Sequence, residues 1–164
     1  MDKEWVAVDG FPNYSINAYG DVINESTKRL VQPNRTTRGA LKVGLFHGGR
    51  QHTRSVKVLV ATAFVDGMSE EFNTPIQLDN NQDNVQADNL AWRPRWFAWK
   101  YTRQFLDCEY WRQEALYLHL RSGVFYRSIY EVGVTYGVLF RDVRNHIWDG
   151  TPLFPDWEEF VLAK

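Results

Sequence analysis

A single cysteine, Cys108, in 164 residues excludes an internal disulfide framework and points to a reducing compartment. No run approaches the roughly 18 apolar residues that a membrane-spanning helix needs. The opening MDKEWVAVDG lacks the basic start and apolar stretch of a signal peptide. A cytoplasmic protein with no membrane partner is therefore expected. Net charge is missing too: 19 basic and 20 acidic side chains leave −1, so no global basic excess announces a nucleic-acid partner. The telling absences are local. Between Ser26 and Val65 there is no acid but eight bases, Lys28, Arg29, Arg35, Arg38, Lys42, Arg50, Arg54 and Lys57. Between Asp66 and Trp92 there is no base but six acids, Asp66, Glu70, Glu71, Asp79, Asp83 and Asp88. Such segregation implies a polarised fold.

Hydrophobic residues make up 44% of the chain and aromatics 15%, with seven Trp, enough for an aromatic-rich core at a length between one and two typical domains. Within the basic block, apolar residues alternate with polar ones over 39–46 and 51–56, the pattern of strands with one buried face. His47-Gly48-Gly49-Arg50 between them suits a tight hairpin turn. One face of this small sheet is expected to present Arg35, Arg38, Lys42, Arg50, Arg54 and Lys57 to the phosphates of double-stranded DNA. His47 and His52 at the tip either join that contact or sit in water. Upstream, 4–8 and 15–24 read as short strands joined by turns, with Gly10 and Gly20 supplying conformations other residues resist.

Arg93-Pro94-Arg95 marks a boundary. The helix expected over 96–106 is aromatic on most faces and must be covered by the rest of the chain or by a partner. A hairpin follows, 115–120 and 124–127 around Arg121-Ser122-Gly123. Ser128 then caps a helix over 129–135, Tyr136-Gly137 breaks it, and a second helix over 138–148 ends at Asp149-Gly150. This is a helix-turn-helix. Its second helix carries Arg141, Arg144, Asn145 and His146, placed either to enter a major groove or simply to face solvent. An acidic tail, Asp156, Glu158 and Glu159, is expected to face away from DNA.

The central stretch, 56–92, joins an apolar helix over 58–64 to a loop crowded with Asp and Asn, then to Asn89-Leu90-Ala91-Trp92. As a calcium loop, 79–90 fails at its sixth position, Asn84, and its twelfth, Leu90. Leu59-Val60-Ala61, Phe64, Asp79, Asn81, Asn84, Asn89, Leu90 and Trp92 resemble the active-site segment of HNH homing endonucleases of phages and self-splicing introns. Glu4, Trp5, Gly10, Phe11, Tyr14, Ile16, Asn17, Gly20 and Val22 resemble the module that precedes it in that family. The resemblance implies an α+β fold of three parts: a small antiparallel sheet module with an HNH-like ββα unit over 1–93, an aromatic helical linker over 94–114, and a C-terminal hairpin with a helix-turn-helix over 115–164.

The resemblance also assigns chemistry, and there the chain departs from it. The water-activating histidine falls on Gln77 and the histidine opening the helix on Lys57, while Ile76 stands where the family often has Asp. An amide takes no proton near neutral pH, so a general base is missing, and Asn84 alone is a poor metal site. The leading expectation is a nuclease-derived DNA-binding protein of a phage or mobile element, without efficient cleavage, acting as a regulator, with no cofactor. The first alternative is a nicking enzyme that keeps magnesium or manganese on Asp79 and Asn84. The second is a scaffold recruited to bind a host or phage protein through 96–111.

Overall fold

In the computed structural model the described residues are 4–155 and 157–163. Contacts divide the chain into two units, Met1–Arg95 and Trp96–Lys164.

Alternation in the first unit produces short antiparallel strands. β1 (Trp5–Val8), β2 (Phe11–Asn17), β3 (Val22–Asn24) and β4 (Arg29–Val31) form a meander in chain order. β5 (Asn34–Arg35), β6 (Leu41–His47) and β7 (Arg50–Ser55) form a second sheet, with the Gly48-Gly49 turn pairing His47 with Arg50. α1 (Val56–Phe64) follows β7 directly, beginning two residues before the expected 58. It buries Val56, Val60 and Ala61, spaced to line one side of a helix. β8 (Thr74–Gln77) pairs with β9 (Leu90–Arg93) across the polar loop. The Trp92 indole N–H donates to Val65 O at 3.0 Å, tying β9 to the carbonyl that ends α1.

The core of this unit gathers Ile16, Val22, Val43, Leu45, Val60 and Trp92. Each such burial contributes roughly 1.5–3 kcal/mol before entropy is counted. One contact fixes its geometry. Gly20 has φ +89°, and a Cβ there would lie 2.5 Å from Val85 and 3.2 Å from Val56. Its bare backbone therefore lets the β2–β3 turn touch both the polar loop and the start of α1. Ala87 N donates to Ala18 O at 2.9 Å beside it.

In the second unit, α2 (Arg95–Gln104) buries Phe97, Ala98 and Tyr101 and leaves Trp96 and Trp99 exposed. Its aromatics divide between core and surface, and after it Phe105, Cys108 and Trp111 pack against this unit's core. The exposed rings are covered by cations of the same helix, Lys100 over Trp96 at 5.1 Å and Arg103 over Trp99 at 4.7 Å. β10 (Tyr117–His119) pairs with β11 (Phe125–Tyr126). α3 (Ile129–Tyr136) is capped by the Ser128 hydroxyl, which accepts from Glu131 N at 3.1 Å, and ends at left-handed Gly137. Three residues later α4 (Phe140–Asp149) begins, and it ends at left-handed Gly150. α3 carries Gly133 because the Phe140 ring lies 2.3 Å from where a Cβ would stand.

The sequence reading missed β12 (Phe160–Leu162), which pairs with β10 on the side away from β11. Glu158, expected in a solvated acidic tail, is instead 15% exposed, with its carboxylate 2.7 Å from His119 Nε2 and 3.3 Å from Arg121. Asp156 of that tail lies outside the described residues. On its other ring nitrogen, buried His119 meets Ser122 Oγ at 2.7 Å and Tyr136 OH at 3.0 Å. Burial, then hydrogen bonding with Tyr126, holds the Tyr136 phenol well above tyrosine's usual range.

Gly20→Ala is expected to cost about 2–4 kcal/mol, combining a left-handed non-glycine residue with an overpacked contact. Urea denaturation of the variant against the parent measures it.

Candidate functional site

The loop between β8 and β9 is built around one carboxylate. Asp79 Oδ1 accepts from Asn81 N at 2.8 Å and from Asn89 Nδ2 at 2.9 Å, and Oδ2 accepts from Asn84 Nδ2 at 2.8 Å. Asn89, 8% exposed, returns a bond: its Oδ1 accepts from Asp79 N at 3.1 Å, while its Nδ2 also donates to Asn84 O at 2.9 Å. A short 3-10 turn, Ala87–Asn89, and β9 follow the loop. The Asp and Asn residues therefore hold loop backbone, and the element they lead into is a strand.

Gln77 closes the same loop. Its Nε2 donates to Asn81 O at 2.8 Å and to Asn84 O at 3.2 Å. Carbonyls only accept, so the orientation of this amide is set by its partners. Where the resemblance puts a water-activating base, the chain presents a donor whose two hydrogens are both used. Lys57, where the resemblance puts a second histidine, lies half-buried in the first turn of α1. Burial lowers its ammonium below the ordinary lysine value.

The donor set does not fit a divalent ion. No group of three or more His, Cys, Asp and Glu side chains able to hold a metal occurs among the described residues. Both Asp79 oxygens already accept bonds. Asn84 Oδ1 is buried without a partner, a single oxygen where such ions take about six ligands.

The basic block is distributed differently from the expectation of one cationic face. Residues facing each other across an antiparallel pair share a face, and neighbours along a strand alternate. Val43 pairs with Arg54, Leu45 with His52 and His47 with Arg50, so Arg50 and Arg54 fall on the side of buried Val43 and Leu45. Lys42 pairs with Ser55, on the opposite side. The alternation was read correctly, but the cations stand at positions of both parities. Around Phe11 gather Arg54, 5.1 Å from the ring centroid, His52 at 5.6 Å and His47 at 6.1 Å. Arg35 is spoken for, donating to Gly39 O at 3.2 Å and pairing with Asp83 of the polar loop at 2.5 Å. Arg38 is exposed in the turn before β6.

On α4, Arg141 and Arg144 are exposed, and Arg144 Nη2 donates to Asn145 Oδ1 at 3.0 Å. His146, grouped with them from sequence, belongs to the framework. Phe160 N donates to its Nε2 at 3.1 Å, so its Nδ1 carries the hydrogen shared with Thr151 O at 2.8 Å. Asp142 in the first turn has its carboxyl raised by burial, against the pull of Lys100 and Arg141.

No family model matches the chain. An uncharacterized HNH endonuclease of Acanthamoeba polyphaga mimivirus is 34% identical over 92 residues, 56% of this chain and 23% of that protein. The DNA endonuclease I-HmuI of Bacillus phage SP01 is 30% identical over 90 residues, 54% of this chain and 51% of its own length. The chain thus spans about a quarter and about half of the relatives it matches. A solved structure of the HNH homing endonuclease I-HmuI, titled for DNA binding and cleavage, matches 98% of both chains with a TM-score of 0.58 at 21% identity. The small antiparallel sheets and the four α-helices among the described residues match an HNH homing endonuclease fold.

Asp79→Ala, which removes three acceptor contacts and leaves one hydrogen of the buried Asn89 amide unpaired, is expected to cost about 1–3 kcal/mol, read as a lower urea midpoint. Lys57→Met is expected to raise the melting temperature at pH 7. A lowered folded-state lysine pKa penalises the charged form in the fold, so the gain shrinks as pH rises through the lysine range and both states become neutral. Melting curves at pH 7 and pH 10 measure the difference.

Proposed function

We propose that this chain, a relative of the HNH endonucleases with the fold of an HNH homing endonuclease, binds double-stranded DNA without cleaving it efficiently and acts as a regulator in a phage or mobile element. The observation that carries the reading is the Gln77 amide. It spends both hydrogens on Asn81 O and Asn84 O, so the side chain at the base position braces the loop and has no means of taking a proton from water. The Asp79 oxygens are committed to the same bracing. Binding draws on groups away from this loop. Arg38, Lys42, Arg50 and Arg54 around the second sheet and Arg141, Arg144 and Asn145 on α4 supply cations and amides suited to phosphates and base edges. α3, the three-residue turn and α4 form the helix-turn-helix whose second helix enters the major groove.

The test pairs nicking of supercoiled plasmid in magnesium or manganese with a binding titration on the same DNA. The expected outcome is binding without nicking, weakening roughly 10³-fold between about 50 and 200 mM salt for some six phosphate contacts. Arg141→Ala or Arg144→Ala is expected to weaken it by about 1–3 kcal/mol. Metal-dependent nicking abolished by Asn84→Ala would overturn the non-cleaving reading. Salt-insensitive association, or none, would overturn DNA binding.

A further inference from the structure

The second unit holds a concavity of which the DNA reading uses Arg144 alone. Its volume is about 530 Å³, and its lining includes Tyr110, Trp111, Gln113, Arg144, Trp148 and Asp149. The size falls within the roughly 300–1,000 Å³ range of small-molecule sites. The chemistry of the lining is specific. Four aromatic rings border it, Tyr110, Trp111, Tyr117 and Trp148, and two of them, Tyr110 and Trp148, are 55% and 61% exposed. Tyr110 and Trp111 meet edge to face, centroids 4.8 Å apart at 84°, which uses one edge and one face and leaves other faces open. Beside the rings stand an exposed amide, Gln113, and an exposed carboxylate, Asp149, neither of which forms a hydrogen bond or ion pair among the described residues. The Arg144 guanidinium donates one bond to Asn145 and keeps N–H groups for an anion.

Flat apolar faces, a carboxylate, an amide and a guanidinium around one concavity are the complement of a nucleotide. We propose that this cavity binds an unpaired nucleotide with its base stacked against the Trp148 side, its edge on Asp149 and Gln113, and its phosphate at Arg144. The carboxylate sets the preference among bases. A carboxylate accepts and never donates, and among the common bases guanine alone offers two adjacent N–H donors on its pairing edge, so guanine is the preferred base. Stacking alone discriminates little, because every base has a π-face. The nucleotide comes either from a free pool or from a base extruded or unpaired in DNA, and the chemistry of the site is the same for both. The inference shares Arg144 with the duplex reading but does not rest on it, since a mononucleotide needs neither the second sheet nor Arg141.

Isothermal titration of the full chain with GMP, AMP, CMP and dTMP, with inorganic phosphate as the control, tests the site. GMP is expected to bind at least about tenfold more tightly than CMP, and phosphate alone far more weakly than GMP. Asp149→Asn, which replaces one acceptor oxygen by a donor, is expected to abolish the guanine preference while stacking persists. Trp148→Ala, at an exposed position the fold tolerates, is expected to weaken all four nucleotides by about tenfold. The source is separated by a duplex carrying one unpaired guanine against its fully paired form. A gain from the unpaired base that Trp148→Ala removes assigns the site to DNA, and GMP binding without that gain assigns it to a free nucleotide. Binding of the fully paired duplex reports separately on the proposed function. Equal affinity for all four nucleotides, phosphate binding as tight as GMP, or no heat from millimolar GMP together with no gain from the unpaired guanine would overturn the proposal.

Discussion

The Asp79 carboxylate is the constraint on which the first unit's polar loop depends. Twelve residues separate β8 from β9, and a loop of that length pays entropy that its own apolar contacts barely repay. Asp79 turns the segment into a closed figure by accepting from Asn81 N and from two side-chain amides, one of them on buried Asn89. Because Asn89 also takes the Asp79 N–H and holds Asn84 O, the start and end of the loop are locked to each other. β8 and β9 then meet in register, and Trp92 reaches the end of α1.

That closure is also why the N-terminal module and the loop belong to one object. Val85 is held where Gly20 can touch it, so the left-handed turn between β2 and β3 serves as a wall for the loop. Asn17, fully buried, shapes this turn by accepting from Tyr19 N and Asp21 N, each at 3.0 Å. Two sequence motifs about sixty residues apart therefore meet at a single contact surface within the first unit.

Local signals in the sequence were legible where local physics decides. Ser128 and Gly137 bracket α3 as capping chemistry requires, and Gly48-Gly49 pairs His47 with Arg50. What failed depended on partners distant in sequence. The single cationic face dissolved because Lys42 and Arg54 stand at opposite parities, which becomes visible only once Lys42 is paired with Ser55. Glu158 and His146 were read as surface groups, yet both bind elements that β12 brings alongside β10. No periodicity announces a three-residue strand, so nothing in 157–163 warned that its carboxylate had a buried histidine to meet. The cavity beside α4 was likewise illegible, since Tyr110 and Gln113 lie nearly forty residues from Asp149 along the chain.

Asn84 shows how bracing and chemistry compete for the same atoms. Its Nδ2 serves Asp79 while its Oδ1 is buried without a partner, a state that costs about 1–3 kcal/mol. Rotating the amide by half a turn would not relieve it, because the oxygen would then face a carboxylate that only accepts. The orientation that leaves one acceptor bare is therefore the better of the two. Gln77 holds Asn81 O and Asn84 O with its two amide hydrogens. The bonds that close the loop are thus shared among Asp79, Asn84, Asn89 and Gln77, and none of these side chains can turn away without loosening the others.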